Sequence, residues 1–195
     1  MKRSALALLS ATACIMASCH RSTDTTATNT NVTTGSVNAS DAVTEPTNPA
    51  LAAVSSSQAF VNAAAASDAF EIESSKLAAD NSSSAAVKRF ATQMIAAHTA
   101  STEKLKSVTS SLSARIAPDP TLDATQQAKL DELKAKKAAD FDKAYVAEQI
   151  AAHEQALAKL KDYASGGDVA PLKQFAAGLT PKVAAHLNMA KALKP

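Results

Sequence analysis

Four clusters of helix-breaking residues divide the chain beyond about residue 55, and their spacing constrains the fold more than any other feature. They lie at 81–84, 118–120, 165–167 and at Thr180-Pro181. Proline lacks the N–H that a helix interior needs, and glycine and hydroxyl residues favour helix ends. The segments between the clusters consist mainly of Ala, Leu, Lys, Gln and Glu, which are helix formers. Since no strand-like alternation competes, the sequence predicts an all-α domain.

This spacing predicts helices near 56–80, 84–116, 123–164, 169–178 and 181–193. Each segment carries its apolar residues on one side, so the helices must pack against one another. Short turns between consecutive helices favour antiparallel neighbours. We therefore expect an antiparallel four-helix bundle in which the last two segments together form the fourth helix, broken near Thr180-Pro181.

The first residues are typical of a bacterial export signal. Lys2 and Arg3 form a short basic region, and an apolar run follows at 5–17. This run is shorter than the about 20 residues that a membrane-spanning helix needs. Residues 1–18 are therefore predicted to be a cleaved signal peptide.

The signal ends in Met16-Ala17-Ser18-Cys19, which resembles the lipobox of bacterial lipoproteins, with methionine where leucine is usual. This resemblance implies cleavage before Cys19 and the attachment of acyl chains such as palmitate to that residue. Several acyl chains would anchor the protein firmly in a membrane. The alternative is ordinary cleavage after Ala13, which would release a soluble protein that begins at Cys14.

A spacer is predicted between the lipid and the helical domain. Residues 19–54 are rich in Thr, Ser and Asn and have almost no large apolar side chains, so burial cannot offset the entropy of ordering them. The mature chain is therefore expected to have a disordered tether at 19–54 and a helical domain at 55–195. His20 follows Cys19 in place of the aspartate that retains lipoproteins in the inner membrane, so the expected location is the outer membrane, facing the periplasm.

Charge and cysteine content exclude several classes of function. The chain has 20 Lys+Arg and 18 Asp+Glu, and removal of the two basic residues of the signal leaves 18 of each. A neutral mature protein gives no electrostatic reason to bind nucleic acid. With Cys14 removed and Cys19 lipidated, the domain has no thiol for a disulfide, a metal ligand or a nucleophile. It also lacks a Gly-x-Ser-x-Gly motif, which argues against serine hydrolase chemistry.

All three histidines of the helical domain are predicted to face the core. In the second helix the apolar residues recur at alternating steps of four and three, and His98 occupies one of these positions. His153 and His186 occupy equivalent positions in their own helices. Counting about 1.5 Å per residue from the turns places His98 and His186 at one level, with Asp142 and with 67–71 of the first helix. The same count places His153 about two turns away.

These residues suggest a metal site. Imidazole and carboxylate groups bind zinc, copper or iron, and helical bundles commonly hold such sites in their interior. The candidate ligands are His98, His153, His186, Asp142 and Glu71. The alternative is that each histidine is a buried polar residue with an acid or a tyrosine as its partner, which fixes helix register and binds no metal. No acid stands three residues before any of these histidines, which argues against a carboxylate-bridged di-iron centre.

Motifs in both halves of the domain carry a family resemblance. They include Glu71-Ile72-Glu73, Val87-Lys88-Arg89-Phe90-Ala91, His98-Thr99, Phe141-Asp142-Lys143-Ala144-Tyr145-Val146, His153-Glu154 and His186-Leu187. Over about 56–193 the sequence resembles the bacterial family called domain of unknown function 4142. The resemblance implies a ferritin-like four-helix bundle, often in exported proteins, and no established activity. The family usually has an acid immediately before the histidine of the second helix, where this sequence has Ala97, and this departure counts against a complete metal site.

Two hypotheses for the function remain open. In the first, an envelope lipoprotein presents a helical module that binds a transition metal such as copper, zinc or iron. In the second, the module is a non-catalytic interaction or envelope-maintenance protein that binds no metal and has protein partners in the envelope. Catalysis is less favoured than binding, because no catalytic motif is found and the only route to it is redox chemistry at the same metal.

Overall fold

Five α-helices account for most of residues 49–195, the part of the chain that the computed structural model describes. They are α1 (Pro49–Asn81), α2 (Ala85–Ser110), α3 (Ala124–Ala135), α4 (Ala138–Gly166) and α5 (Ala170–Ala192). No strand occurs within this range, so the predicted all-α class is confirmed. The predicted signal peptide at 1–18, the lipid on Cys19 and the tether as far as residue 48 lie outside the described residues.

The helix starts follow from local chemistry. Helix α1 begins at Pro49, whose missing N–H is not needed in the first turn, and residues 49–54 belong to this helix. Ser84 caps α2, because its Oγ accepts a hydrogen bond from the backbone N–H of Val87. A reciprocal capping box between Asp123 and Gln126 starts α3.

The segment between α2 and α4 differs from the prediction. Helix α2 ends at Ser110 and not near residue 116. Residues 111–123 have no helix, and the side chain of Gln58 binds their backbone, accepting from the N–H of Ala117 and donating to its carbonyl. The helix predicted at 123–164 is two helices, separated at 136–137. Ala138, the first residue of α4, has a φ of 49°. A positive φ is uncommon for a residue other than glycine, and here it accompanies the change of backbone direction between α3 and α4.

The predicted break at Thr180-Pro181 is wrong. Helix α5 continues from Ala170 to Ala192 with Pro181 inside it. The hydroxyl of Thr180 donates to the carbonyl of Ala176. Buried residues precede and follow the proline, with Phe175 on one side and Val183 on the other, so packing holds the helix together where its own hydrogen bonding is interrupted.

Helices α1, α2, α5 and α4 contact one another in that cyclic order, and α3 packs against α1 and α4. Two hydrophobic clusters hold them together. The first cluster includes Phe60, Leu105, Leu160, Leu172, Phe175 and Val183. The second cluster includes Ala78, Phe90, Met94, Phe141, Tyr145 and Ala190. Along α2 and α4 the chain runs from the second cluster to the first, whereas along α1 and α5 it runs from the first to the second.

A layer of polar side chains separates the two clusters on every one of these four helices. We call it the polar layer, and its members are Asp68, Glu71, Ser74, His98, Gln149, His153 and His186. Most of these side chains are buried, and His186 is half-buried. Within residues 49–195, no helix has the length and apolar character needed to cross a membrane.

Candidate metal centre

The three histidines of the polar layer converge from three different helices. His98 comes from α2, His153 from α4 and His186 from α5. One ring nitrogen of each lies within 4.8 Å of one ring nitrogen of the other two. The ring centroids are 5.6 to 5.8 Å apart in all three pairs. The sequence count that placed His153 two turns away is therefore wrong.

Asp68 fixes the orientation of His98. The Nδ1 of His98 lies 2.8 Å from Oδ1 of Asp68, and Thr102 donates to the other oxygen of the same carboxylate. With its Nδ1–H donated to Asp68, a neutral His98 carries its lone pair on Nε2. That Nε2 is buried and has no hydrogen-bond partner among residues 49–195. Burial lowers the pKa of His98, but the hydrogen bond to Asp68 and the charge of Glu71 raise it more, so the pKa is above its usual value.

His153 has the same arrangement with a different acceptor. Its Nδ1 donates to the backbone carbonyl of Gln149 at 2.8 Å, and Oε1 of Glu71 lies 3.7 Å from the same nitrogen. Its Nε2 is buried and has no hydrogen-bond partner in the described part of the chain. Burial lowers the pKa of His153 to about 4, and the neighbouring imidazoles of His98 and His186 add to this effect. The ring is therefore neutral at physiological pH.

His186 completes the cluster from α5. Its Nδ1 is buried, and none of the described residues forms a hydrogen bond with it. Burial lowers its pKa to about 4, and the charges of His98 and Lys182 add to this effect. At neutral pH this ring, like that of His153, can offer a lone pair without first losing a proton.

Glu71 lies beside His153, on the Nδ1 side of the ring and not on the Nε2 side. Only 2% of this residue is exposed, and its Oε2 has no hydrogen-bond partner within the described residues. Burial raises its pKa from 4.5 to about 7, against the effect of the nearby His98. The predicted ligand Glu71 is therefore next to the cluster but faces the outer side of one of its histidines.

The predicted ligand Asp142 does not join the cluster, which is a correction to the sequence analysis. Its Oδ2 accepts hydrogen bonds from the backbone N–H and the hydroxyl of Ser83, at the turn between α1 and α2. Eleven residues of α4 separate it from His153, which corresponds to about 16 Å along the helix. The sequence count assumed that α2 and the following helix run in opposite directions, whereas both run from the second cluster to the first.

Sequence reasoning missed two members of the site. Counting residues across the turn between α1 and α2 indicated that 67–71 lie level with His98. Of the two acids there, Glu71 was selected as the ligand, whereas Asp68 is the one that contacts His98. The three-residue spacing of Asp68 and Glu71 places both on one face of α1, which was the available signal. Gln149 gave no signal, because its backbone carbonyl is the partner of His153.

Fold and site together define a class of protein, an all-helical domain with a buried cluster of three histidines. The model of the family described as domain of unknown function (DUF4142) matches residues 42–193, and the chain belongs to this family. The expected family membership is thus confirmed. Comparison with the curated proteins finds no match, and comparison with the solved structures finds none either.

Proposed function

We propose that this protein binds one transition metal ion through His98, His153 and His186. The observation that carries this proposal is the convergence of their ring nitrogens within 4.8 Å of one another. At least one nitrogen of each ring is buried and has no partner within the described residues. A buried polar atom without a partner costs free energy, and a metal ion would satisfy all three rings at once.

The spacing of the nitrogens is compatible with coordination. Zinc–imidazole bonds are about 2.0–2.1 Å long, so the nitrogens of a tetrahedral site are roughly 3.3 Å apart. Side-chain rotations that draw the three nitrogens together by about 1.5 Å or less would close the site around an ion. Three imidazole ligands leave a fourth position open, as in catalytic zinc sites, and they also suit copper and iron.

The carboxylates of Asp68 and Glu71 support such a site from behind the ligands. A ligating histidine usually donates its other N–H to a carboxylate or a backbone carbonyl, which orients the ring and raises its basicity. His98 and His153 both show this arrangement, through Asp68 and through Gln149. Glu71 then has an electrostatic role and is not a ligand.

The fold that we propose for the domain is ferritin-like. Neighbours in the cyclic order α1, α2, α5, α4 run in opposite directions, judged by the order in which each helix meets the two hydrophobic clusters. Residues 111–137, with α3, then form one long crossover between two helices of the same direction. Ferritin-like bundles have a single connection of this kind.

For the whole protein we propose an envelope lipoprotein, anchored through Cys19 and placed in the outer membrane by the sequence that follows this cysteine. This proposal rests on the basic and apolar pattern of 1–18 and on Met16-Ala17-Ser18-Cys19. The alternative role, an interaction or envelope-maintenance protein without metal, is the outcome to be expected if the histidines prove to be core polar residues only.

The metal proposal is tested by elemental analysis and calorimetric titration of the Cys19→Ala protein, purified without an affinity tag, with copper, zinc and iron. We expect one ion per chain, and loss of that ion in His98→Gln, His153→Gln and His186→Gln. His20→Gln is the matched control, because His20 is the one histidine that precedes the helical domain. A protein that keeps its circular dichroism spectrum but binds none of the three metals would overturn the proposal.

A further inference from the structure

A cavity of about 490 Å³ adjoins the histidine cluster and is not explained by metal binding. His98 and His186 form one of its walls, and most of the other walls are apolar. Phe60, Phe70, Leu160 and Val183 contribute large side chains to them. Small residues account for the space, because α1, α2, α4 and α5 all present alanines to the cavity, among them Ala64, Ala97, Ala156 and Ala185.

Three exposed lysines line the same cavity from three helices. They are Lys104 on α2, Lys159 on α4 and Lys182 on α5. None of them forms an ion pair within the described part of the chain, whereas a fourth lining lysine, Lys129, is paired with Glu148 at 2.6 Å. These three unpaired lysines outnumber the two acids that also line the cavity, Asp68 and Asp123, so the cavity has a local excess of positive charge, although the chain as a whole is nearly neutral.

The three lysines lie on the same side of the polar layer. Lys104 and Lys159 come six residues after His98 and His153 on helices that run toward the first cluster. Lys182 comes four residues before His186 on α5, which runs away from the first cluster. All three Cα positions are therefore displaced by about 6–9 Å from the histidines in the same direction, toward the apolar walls that Phe60, Leu160 and Val183 provide.

We propose that this cavity binds a medium-chain carboxylate, with its acyl chain against the apolar walls and its head group at Lys104, Lys159 and Lys182. The volume equals about sixteen water-sized groups, which suits an unbranched chain of roughly ten carbons with its carboxylate. Apolar walls with a few polar groups at one end are the usual construction of a small-molecule site. The site adjoins the proposed metal position, since His98 and His186 line both, but the head group meets the lysines and does not require the ion.

The test is calorimetric titration of the Cys19→Ala protein with decanoate in the presence of EDTA. We expect a single site per chain and an affinity that falls as salt is added, because the head group meets exposed lysines. Decanol, which lacks the charge, should bind at least tenfold more weakly. Acetate, which lacks the chain, should give no measurable binding.

Two sets of variants locate the site. Lys104→Gln, Lys159→Gln and Lys182→Gln combined should weaken decanoate binding at least tenfold. The matched control combines Lys88→Gln, Lys106→Gln and Lys161→Gln, three exposed lysines outside the cavity with the same total change of charge, and it should bind like the parent protein. Ala156→Leu, which places a larger side chain in the cavity, should also weaken binding while the helical circular dichroism signal is retained.

Several results would overturn the proposal. Equal losses in the lining and control triple variants would show an effect of net charge alone. Equal binding of decyltrimethylammonium would show unspecific apolar adsorption, and tighter binding of decyl phosphate by tenfold or more would show that the head group is a phosphate. Binding that appears only after metal is added would place the carboxylate on the ion and not at the lysines.

Discussion

At the scale of single residues, the hydrogen bond at one nitrogen of an imidazole determines what the other nitrogen can do. His98 donates its Nδ1–H to Asp68, and His153 donates its Nδ1–H to the carbonyl of Gln149. In its neutral form each ring then carries a lone pair on Nε2, and both Nε2 atoms are buried and have no partner among the described residues. A core that needed histidine only as a spacer would gain nothing from leaving these nitrogens without partners.

Asp68→Asn is expected to weaken metal binding by about 10–100-fold, the usual effect of losing a carboxylate behind a ligating histidine. Asparagine retains an oxygen that accepts from Nδ1–H, so the ring keeps its orientation and only the negative charge is lost. Competition titration with a chromophoric chelator measures the change. Asp80→Asn, an exposed acid on the same helix, should leave the affinity unchanged, and equal affinity in both variants would exclude a role for the carboxylate of Asp68.

Glu71 is expected to make the stability of the metal-free protein depend on pH. Its pKa is about 7 in the folded state and 4.5 in the reference state, so the folded protein holds a proton that the unfolded chain has lost. The proton on Glu71 therefore contributes to the free energy of unfolding in full below about pH 4.5, and this contribution is lost as the pH rises to about 7. Glutamine cannot lose a proton, so the free energy of unfolding of Glu71→Gln should not show this decrease with pH.

Urea unfolding in EDTA at pH 5 and pH 8 tests this expectation. The stability of Glu71→Gln relative to the parent protein should be higher at pH 8 than at pH 5 by about 1–3 kcal/mol. The lowered pKa of His153 acts in the opposite direction, since its contribution is lost as the pH falls from 6.5 toward 4. It is present in both proteins and largely cancels in the comparison. A pH-independent difference would show that Glu71 is not protonated in the folded protein.

At the scale of helices, packing overrides the local preference of individual residues. A proline in a helix interior costs about 3 kcal/mol relative to alanine, yet α5 continues through Pro181. The helix buries Leu172, Phe175 and Ala176 before the proline and Val183 and Leu187 after it. A break would remove one of these groups from the core, so the loss of burial outweighs the lost hydrogen bond.

Two glycines should respond in opposite ways to the same substitution. Gly178 lies within α5, and a Cβ placed there would meet nothing within 4 Å. Gly178→Ala should therefore stabilise the protein by about 0.5–1 kcal/mol. Gly167 ends α4, and a Cβ there would come within 2.6 Å of the carbonyl oxygen and ring of Tyr163.

Gly167→Ala should accordingly destabilise the protein by roughly 1–3 kcal/mol, the range for overpacking. The ring of Tyr163 cannot move freely, because it stacks on Phe60 at 3.8 Å and its hydroxyl bonds to Ser57. Thermal unfolding followed by circular dichroism measures both variants. A lower midpoint temperature for Gly178→Ala would contradict the open space expected at that position of α5. A higher midpoint temperature for Gly167→Ala would contradict the close packing expected at the end of α4.

At the scale of the whole molecule, the domain has two hydrophobic clusters with polar groups between them, where a single apolar core would be more stable. Burial of Asp68, Glu71, His98 and His153 in one layer carries a desolvation cost. The metal ion that we propose would offset that cost by satisfying the imidazoles and by placing a positive charge near the two acids. The organisation of the domain is thus better explained by binding than by stability alone.

The position of the domain in the cell depends on the lipid proposed for Cys19. Cys19→Ala should move the protein from the membrane fraction to the soluble fraction and abolish its labelling by an alkyne-palmitate probe. Cys14→Ala is the matched control and should remain membrane-bound, because Cys14 lies in the segment that we propose to be a cleaved signal peptide. If cleavage occurs after Ala13 instead, neither substitution will change the fractionation and neither protein will be labelled.

The sequence by itself predicted three properties of the domain. They are its all-α class, the absence of a thiol, and the inward direction of His98, His153 and His186. These properties depend on composition and on local periodicity, which any helix of this sequence must express. Helix ends were less predictable, as at Ser110, at 136–137 and at Pro181, because tertiary contacts decide them.

Only the tertiary structure decided which residues share one level. His153 joins the cluster, and Asp142 does not, because α4 runs in the same direction as α2. This direction depends on how the connection at 111–137 crosses the domain and packs on α1 and α4. Such contacts join residues far apart in the chain, and no local pattern of side chains encodes them.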